Sequence, residues 1–291
     1  MGDAFGLSPN LKYFEYEFDS ADANVSFSST ASSLDWPNFQ MERPLSNIAG
    51  LKVLEAQIPF SFYVINTLNN KFTFTSGSTH TVTLPEGSYD SNSLAVELQT
   101  IMSALDAPNT YSVNYSQISG KFAIAGSVPF SVTFGSSSDD GLTNPRIMLG
   151  FNAGTTSSVS NIVTSQQVAM VTGPNYIYLC SESLGTLVQL YLPASAQLSQ
   201  GGLGPELAKI PINCNPFGVV FWQDPDPKKY FDVESLFTLQ NIDLYCTLGV
   251  SSSKPLKFNG LGFSVKLGIV VNSDSRTDTT VPANVKRVRA N

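Results

Sequence analysis

Histidine is nearly absent from this chain: His80 is the only one in 291 residues. Nucleophilic catalysis of the Ser-His-Asp or Cys-His kind needs an imidazole beside the nucleophile, so any such centre would have to be built on His80. That residue opens a strand-like run after Gly77-Ser78-Thr79, where an exposed or turn histidine is the ordinary case. No Gly-x-Ser-x-Gly elbow accompanies it. One histidine and three scattered cysteines leave no zinc set of ordinary spacing. The cysteines, Cys180, Cys214 and Cys246, are odd in number and far apart, which argues against a disulfide framework. Cys180 and Cys246 fall in apolar runs and read as buried free thiols, as in a protein assembled in a reducing compartment. Charge is sparse as well. Charged residues make up 13%, the net charge is -7 and the pI about 4.7, which excludes broad nucleic-acid binding. No apolar run approaches the ~20 residues of a membrane helix, so no membrane span is expected. Met1-Gly2-Asp3-Ala4-Phe5-Gly6 has neither the basic nor the apolar region of a signal peptide, and Gly6 stands where a myristoylation signal needs Ser or Thr.

What remains is a chain rich in apolar residues (42%) and aromatics (11%), punctuated by Gly, Pro, Ser and Asn. That mix suits many short strands joined by turns. Residues 1–10 read as an arm. Phe14, Tyr16 and Phe18 alternate with Glu15, Glu17 and Asp19 in a half-buried strand, and Ser-rich residues 28–47 read as a long connection. An apolar stretch from Ile48 to Ile65 is divided by Pro59. From His80 to Phe151 comes the most distinctive unit. It holds a strand (80–84), a breaker cluster in which Gly87 is available for a positive φ, a helix capped at Asp90 or Ser91, and a hairpin from Tyr111 to Ile124. Leu94, Leu98, Ile101 and Leu105 form one stripe of that helix. Strand patterns then return at 177–179, 187–190, 219–222, 242–248 and 263–269, Asp243, Tyr245 and Thr247 forming the polar side of the fourth. Strands without alternating helices predict an all-β antiparallel β-sandwich, with a single jelly roll leading, carrying an inserted strand–helix–hairpin unit. The expected layout is a jelly-roll domain over 1–271 and a flexible, basic-ended tail over 272–291. Residues 66–155 are either an insertion subdomain or suppliers of core strands.

Candidate chemistry is thin. Asp224, Asp226 and Asp232, near Trp222-Gln223-Asp224-Pro225-Asp226-Pro227, offer oxygens for Ca²⁺ but lack the EF-hand spacing, so a solvated acidic loop is the preferred reading. Asp139-Asp140 is a second acidic pair with nothing to select it for acid–base work. Ser119-Gly120-Lys121 lacks the glycine spacing of a phosphate loop. Tyr176 and Tyr178 could stack on a sugar, although aromatics on an alternating strand more often pack on a neighbouring sheet or subunit. No catalytic, cofactor-binding or metal-ligating residue is assigned, and no enzyme is expected.

A set of short runs nonetheless looks familiar in its order. Leu84-Pro85-Glu86-Gly87-Ser88-Tyr89 precedes a Leu-rich helix, the Tyr111–Ile124 hairpin follows, and Leu149-Gly150-Phe151 closes the unit. Then come Gly173-Pro174-Asn175-Tyr176-Ile177-Tyr178-Leu179, Ala208-Lys209-Ile210-Pro211-Ile212, Asn241-Ile242-Asp243-Leu244 and Leu256-Lys257-Phe258-Asn259-Gly260. Over about residues 50–270 the chain resembles the penton and minor capsid proteins of virophages, polinton-like viruses and related large DNA viruses. The resemblance implies a vertical single jelly roll, five copies of which form a homopentamer at the icosahedral vertex of the virion, against trimers of the major capsid protein, assembled inside the host cell. It leaves open a cement role between capsomers, and the composition leaves open a carbohydrate-binding β-sandwich. The tail lies outside the resemblance. Its Lys286, Arg287 and Arg289 are candidates for assembly contacts with a neighbouring subunit, other minor capsid proteins or the packaged genome.

Overall fold

The computed structural model describes residues 11–23, 25–26, 32–135, 144–184, 206–226, 231–232, 238–248 and 255–272. They fall into two compact units, one within residues 1–62 and 175–291, the other within residues 63–174. In chain order the first unit opens with β1 (Leu11–Asp19), β2 (Val25–Ser26), β3 (Pro37–Ser46) and β4 (Ile48–Pro59). The second unit follows with β5 (Lys71–Thr75), β6 (Thr79–Thr83), α1 (Ser91–Leu105), β7 (Tyr111–Ser116), β8 (Lys121–Gly126), β9 (Ser131–Phe134), α2 (Arg146–Leu149), β10 (Gly154–Ser157) and β11 (Ile162–Thr164). The first unit is completed by β12 (Tyr176–Cys180), β13 (Glu206–Pro211), β14 (Val219–Gln223), β15 (Phe231–Asp232), β16 (Thr238–Asp243), β17 (Tyr245–Thr247) and β18 (Ser264–Asn272).

Among the described residues every strand pairing is antiparallel. One sheet of the first unit runs β1-β18-β4-β14, with β15 continuing alongside β4. In the other, β3 pairs with β16, and β17 pairs with β12, which pairs with β13. Because β16 and β17 are halves of one path interrupted only at Leu244, this sheet runs β3-β16/β17-β12-β13. Lettering the eight paths B to I along the chain gives B-I-D-G and C-H-E-F, the strand order of a jelly roll. Phe18 of β1 and Phe39 of β3 meet between the sheets with ring centroids 5.1 Å apart. β4 is central and mostly buried, and the middle of β18 is buried throughout.

The expected connection at 28–47 contains a strand instead. Pro37 stands first in β3, where a missing N–H does least harm, and Pro44 falls where the β3–β16 register slips between Leu239 and Asn241. Both prolines thus stay out of the β3–β16 register, Pro37 facing Ser26 of β2 instead, which is why a proline-bearing segment can still form one strand of the jelly roll.

In the second unit one sheet runs β10-β9-β5-β6 and another β11-β8-β7, and all their pairings stay inside the unit. Its bounds, 63 and 174, are wider than 66–155. Asp90 caps α1 through its carboxylate to the amides of Asn92 and Ser93, and the Ser93 hydroxyl accepts from the Asp90 amide in return. The buried stripe of α1 is Leu94, Ala95, Leu98 and Met102, while Leu105 is 41% exposed. The helix is therefore rotated from the expected stripe: Met102 replaces Ile101 and Leu105 at the seam. Gly87 does not take a positive φ; it bridges to Ile65 through two backbone hydrogen bonds of 2.9 Å. Gly150 does, at φ 75°, and a Cβ there would collide with the Gln167 carbonyl, so Leu149-Gly150-Phe151 needs its glycine.

Candidate functional site

The acidic loop after β14 already has a cation. Lys52, in central strand β4 and 5% exposed, places its ammonium 3.0 Å from Asp224 Oδ2 and donates to the Asp226 carbonyl. Asp224 also accepts the Asp226 amide at 2.7 Å. A buried ammonium requires such partners, because leaving it unpaired in the interior is strongly unfavourable. The start of this segment is folded onto β4 by a charge that sequence spacing could not connect to it, while Pro225 and Asp226 stay exposed. Asp232 stands in β15 opposite Gly50. Among the described residues no three His, Cys, Asp or Glu side chains gather to hold a metal. Asp139 and Asp140 lie outside the described residues.

A second polar cluster surrounds Asp243 at the end of β16. This fully buried carboxylate accepts from Trp36 Nε1 (2.9 Å), the amides of Glu182 (2.9 Å) and Ser183 (2.8 Å), and the hydroxyls of Ser183 (2.6 Å) and Ser181 (3.2 Å). Tyr245 donates to Glu182 Oε1 at 2.7 Å, and its ring lies 4.4 Å from that of Trp36. Burial pushes the Tyr245 phenol far up, reinforced by that hydrogen bond. Alternation places Asp243, Tyr245 and Thr247 on a polar side; all three are buried, and around Asp243 and Tyr245 that face is covered by Trp36 and residues 181–183. The carboxylate knots together the segment before β3, the end of β12 and the joint of strand H. Nearby, Phe258 donates its amide to Asp35 at 2.8 Å, and its carbonyl accepts Ser61 Oγ at 2.6 Å. Asn259 and Gly260 both have positive φ, 53° and 88°. These are the joints at which Asn241–Leu244 and Leu256–Gly260 sit.

His80 is neither exposed nor a plain turn residue. Its side chain is 19% exposed, stacks on Phe74 at 5.0 Å, and places Nε2 3.4 Å from Asp106 Oδ1. Asp106 is the hub: Ser76 Oγ (2.5 Å), Tyr111 OH (2.6 Å) and Asn109 Nδ2 (3.2 Å) all donate to it. Burial acts to raise the Asp106 pKa, but these hydrogen bonds and the His80 charge outweigh it and hold the carboxyl below its ordinary value. Burial and the bond to Asp106 push the Tyr111 phenol up to about 12. In a nucleophilic triad the imidazole stands between hydroxyl and carboxylate. Here the carboxylate stands between the imidazole and the hydroxyls, so the Ser76 proton is directed to Asp106. The cluster fastens the end of α1 to β6 and β7.

Cys180 and Cys246 are buried and Cys214 is partly so; all three are free thiols. Burial drives Cys180 up to about 12 and Cys246 well above its ordinary value, which suppresses the reactive thiolate. Tyr176 and Tyr178 share one cation: Lys209 Nζ lies 4.3 Å and 5.6 Å from their ring centroids. Lys209, on the opposite strand, thus engages both rings, while Tyr176 stays 43% exposed. Lys121, of Ser119-Gly120-Lys121, donates to the Gln166 carbonyl at 2.9 Å. Lys286, Arg287 and Arg289 lie outside the described residues, as do 1–10 and the strand expected at 187–190.

No protein-family model and no curated protein matches the chain. Two solved structures are similar to it over most of its length. The mavirus penton protein aligns with 90% of this chain and 99% of its own, at 10% identity and a TM-score of 0.46. A chain from the cryo-EM structure of the Sputnik virophage aligns with 91% and 99%, at 11% identity and a TM-score of 0.42.

Proposed function

We propose that the chain is a structural capsid protein, a penton that forms the icosahedral vertex of a virion as a homopentamer and contacts trimers of the major capsid protein. The observation that carries the reading is where the family-like runs fall in the fold. Asn241–Leu244 supplies the buried Asp243 knot, Leu256–Gly260 the paired left-handed turn, and Leu149–Phe151 the obligatory glycine. They are joints of the framework, and none holds a reacting group. A jelly roll alone does not specify a task. Three further features support this one: the Asp106 cluster directs its hydroxyls away from the imidazole, Lys52 pairs with Asp224 of the acidic loop, and Lys209 lies against the rings of Tyr176 and Tyr178.

Residues 1–272 would then be the capsid domain, residues 63–174 a unit carried between β4 and β12, and residues 273–291 an assembly tail. Native mass spectrometry of the purified chain, together with co-expression with a major capsid protein, tests this. A pentamer that enters shells at their vertices is the expected result. A monomer that enters shells away from the vertices would make the chain a cement, and a chain that never enters shells would end the capsid reading.

A further inference from the structure

The turn joining β13 to β14 carries an unusual choice of residue. In Asn215-Pro216-Phe217-Gly218 the Gly218 amide bonds the Asn215 carbonyl at 3.0 Å, and Phe217 has φ 69°. Proline second and a left-handed residue third is the type II arrangement, whose third position favours glycine. A bulky residue there is a genuine outlier, of the strained kind that persists only where the surrounding structure holds it and that clusters at functional sites. The turn is held on both sides, Phe217 N to Phe60 O at 2.8 Å and Phe60 N to Gly218 O at 2.9 Å. Yet Phe217 gains no burial, being 73% exposed.

The same row continues along β14. Val219 is 59% and Phe221 47% exposed, while Val220 between them is buried. The cross-strand partners of Val219 and Phe221 on β4 are Pro59 and Gln57, both uncharged, and the next position of β4 on that face is Glu55, paired with Lys266. β14 ends the sheet path, but its outer edge is not open for strand addition at Phe221, because Asn213 Nδ2 caps that carbonyl at 3.1 Å. A partner must therefore meet the side chains of the row. Each copy carries a net charge of -7, so two copies repel over most of their surfaces and approach most readily where both are uncharged.

We propose that Phe217, Val219 and Phe221 form the surface by which one copy of this chain docks on the next, with Phe217 as the anchoring aromatic. The proposal rests on the reading of the chain as a self-assembling capsid protein and names the contact that reading leaves unplaced. Exposed aromatics at the centre of an interface commonly carry a large share of its affinity.

Phe217→Gly tests it without endangering the fold, since glycine suits the turn. Sedimentation velocity over a concentration series should show wild-type self-association weakened at least tenfold in Phe217→Gly, with thermal stability equal or higher. The double variant Val219→Thr/Phe221→Thr should weaken association in the same direction. Unchanged association in both variants overturns the proposal, and so does a wild-type chain that stays monomeric. Co-expression with a major capsid protein separates the two readings. Variants that self-associate normally but fail to enter shells would assign the row to another capsid protein, overturning this proposal while leaving the capsid reading intact. Wild type that never enters shells would remove the capsid reading itself.

Discussion

Lys52 and Asp224 face each other at 3.0 Å across β4 and the end of β14, their side chains 6% and 19% exposed. Removing one member strands the other, so Lys52→Ala should destabilise the chain by about 3–5 kcal/mol, the range for breaking a buried pair. Replacing both, as Lys52→Met/Asp224→Leu, should recover most of that loss. Chemical denaturation of the three variants checks the cycle. Calcium should leave the wild-type midpoint unmoved, because Lys52 already supplies the positive charge.

The turned stripe of α1 gives a paired comparison. Leu98 is fully buried, whereas Leu105 is 41% exposed. Leu98→Ala should cost about 2–5 kcal/mol and Leu105→Ala well under half of that. Equal losses would restore the stripe drawn from spacing alone.

Asp106 links the second unit to acid stability. Its native pKa is held below the ordinary 3.8, so it contributes stability that is fully present above the unfolded value and is lost as pH falls through the lower native one. Asp106→Asn should therefore be less stable than wild type at neutral pH, with the gap closing below about pH 4. Thermal melts between pH 2 and 7 report this. His80→Ala should lose about 1 kcal/mol through its ring contact with Phe74.

Thiol labelling separates core from surface. In the native chain Cys214 should react slowly and Cys180 and Cys246 not at all, since the latter pair is 5% and 0% exposed. Denaturant should release all three. Early labelling of Cys246 would contradict its place in strand H.

The legible part of this fold was its periodic part. β1, β4, β18 and the helix follow from alternation or helical spacing, because each has at least one regular apolar face. β3 was hidden because prolines that stay out of the β3–β16 register look, in sequence, like prolines that end a strand. Asp243 was hidden for another reason. An acidic residue in a strand implies an exposed face unless its donors are known, and these come from Trp36 and residues 181–183, far away in the chain. The Lys52–Asp224 pair spans a similar separation. Phe217 needed φ as well as burial, and Asn-Pro-Phe-Gly reads simply as a turn.

Residues 273–291 carry Lys286, Arg287, Val288 and Arg289 near their end, on a chain whose net charge is -7. Such a cluster is drawn to anionic surfaces, whether the acidic face of a neighbouring subunit or packaged nucleic acid, through contacts that are individually weak and screened beyond about 8–10 Å. The last described residue, Asn272, still belongs to β18: it pairs with Leu11 and bonds the Asn47 carbonyl at 2.9 Å. Truncation should therefore follow Asn272 and leave that strand whole. The shortened chain is expected to keep the wild-type melting temperature but to enter shells poorly, and what incorporation remains should respond less to salt. Charge reversal at Lys286, Arg287 and Arg289 in the full chain should give the same defect without shortening it. Wild-type incorporation of both variants at low and high salt would leave these residues no part in assembly.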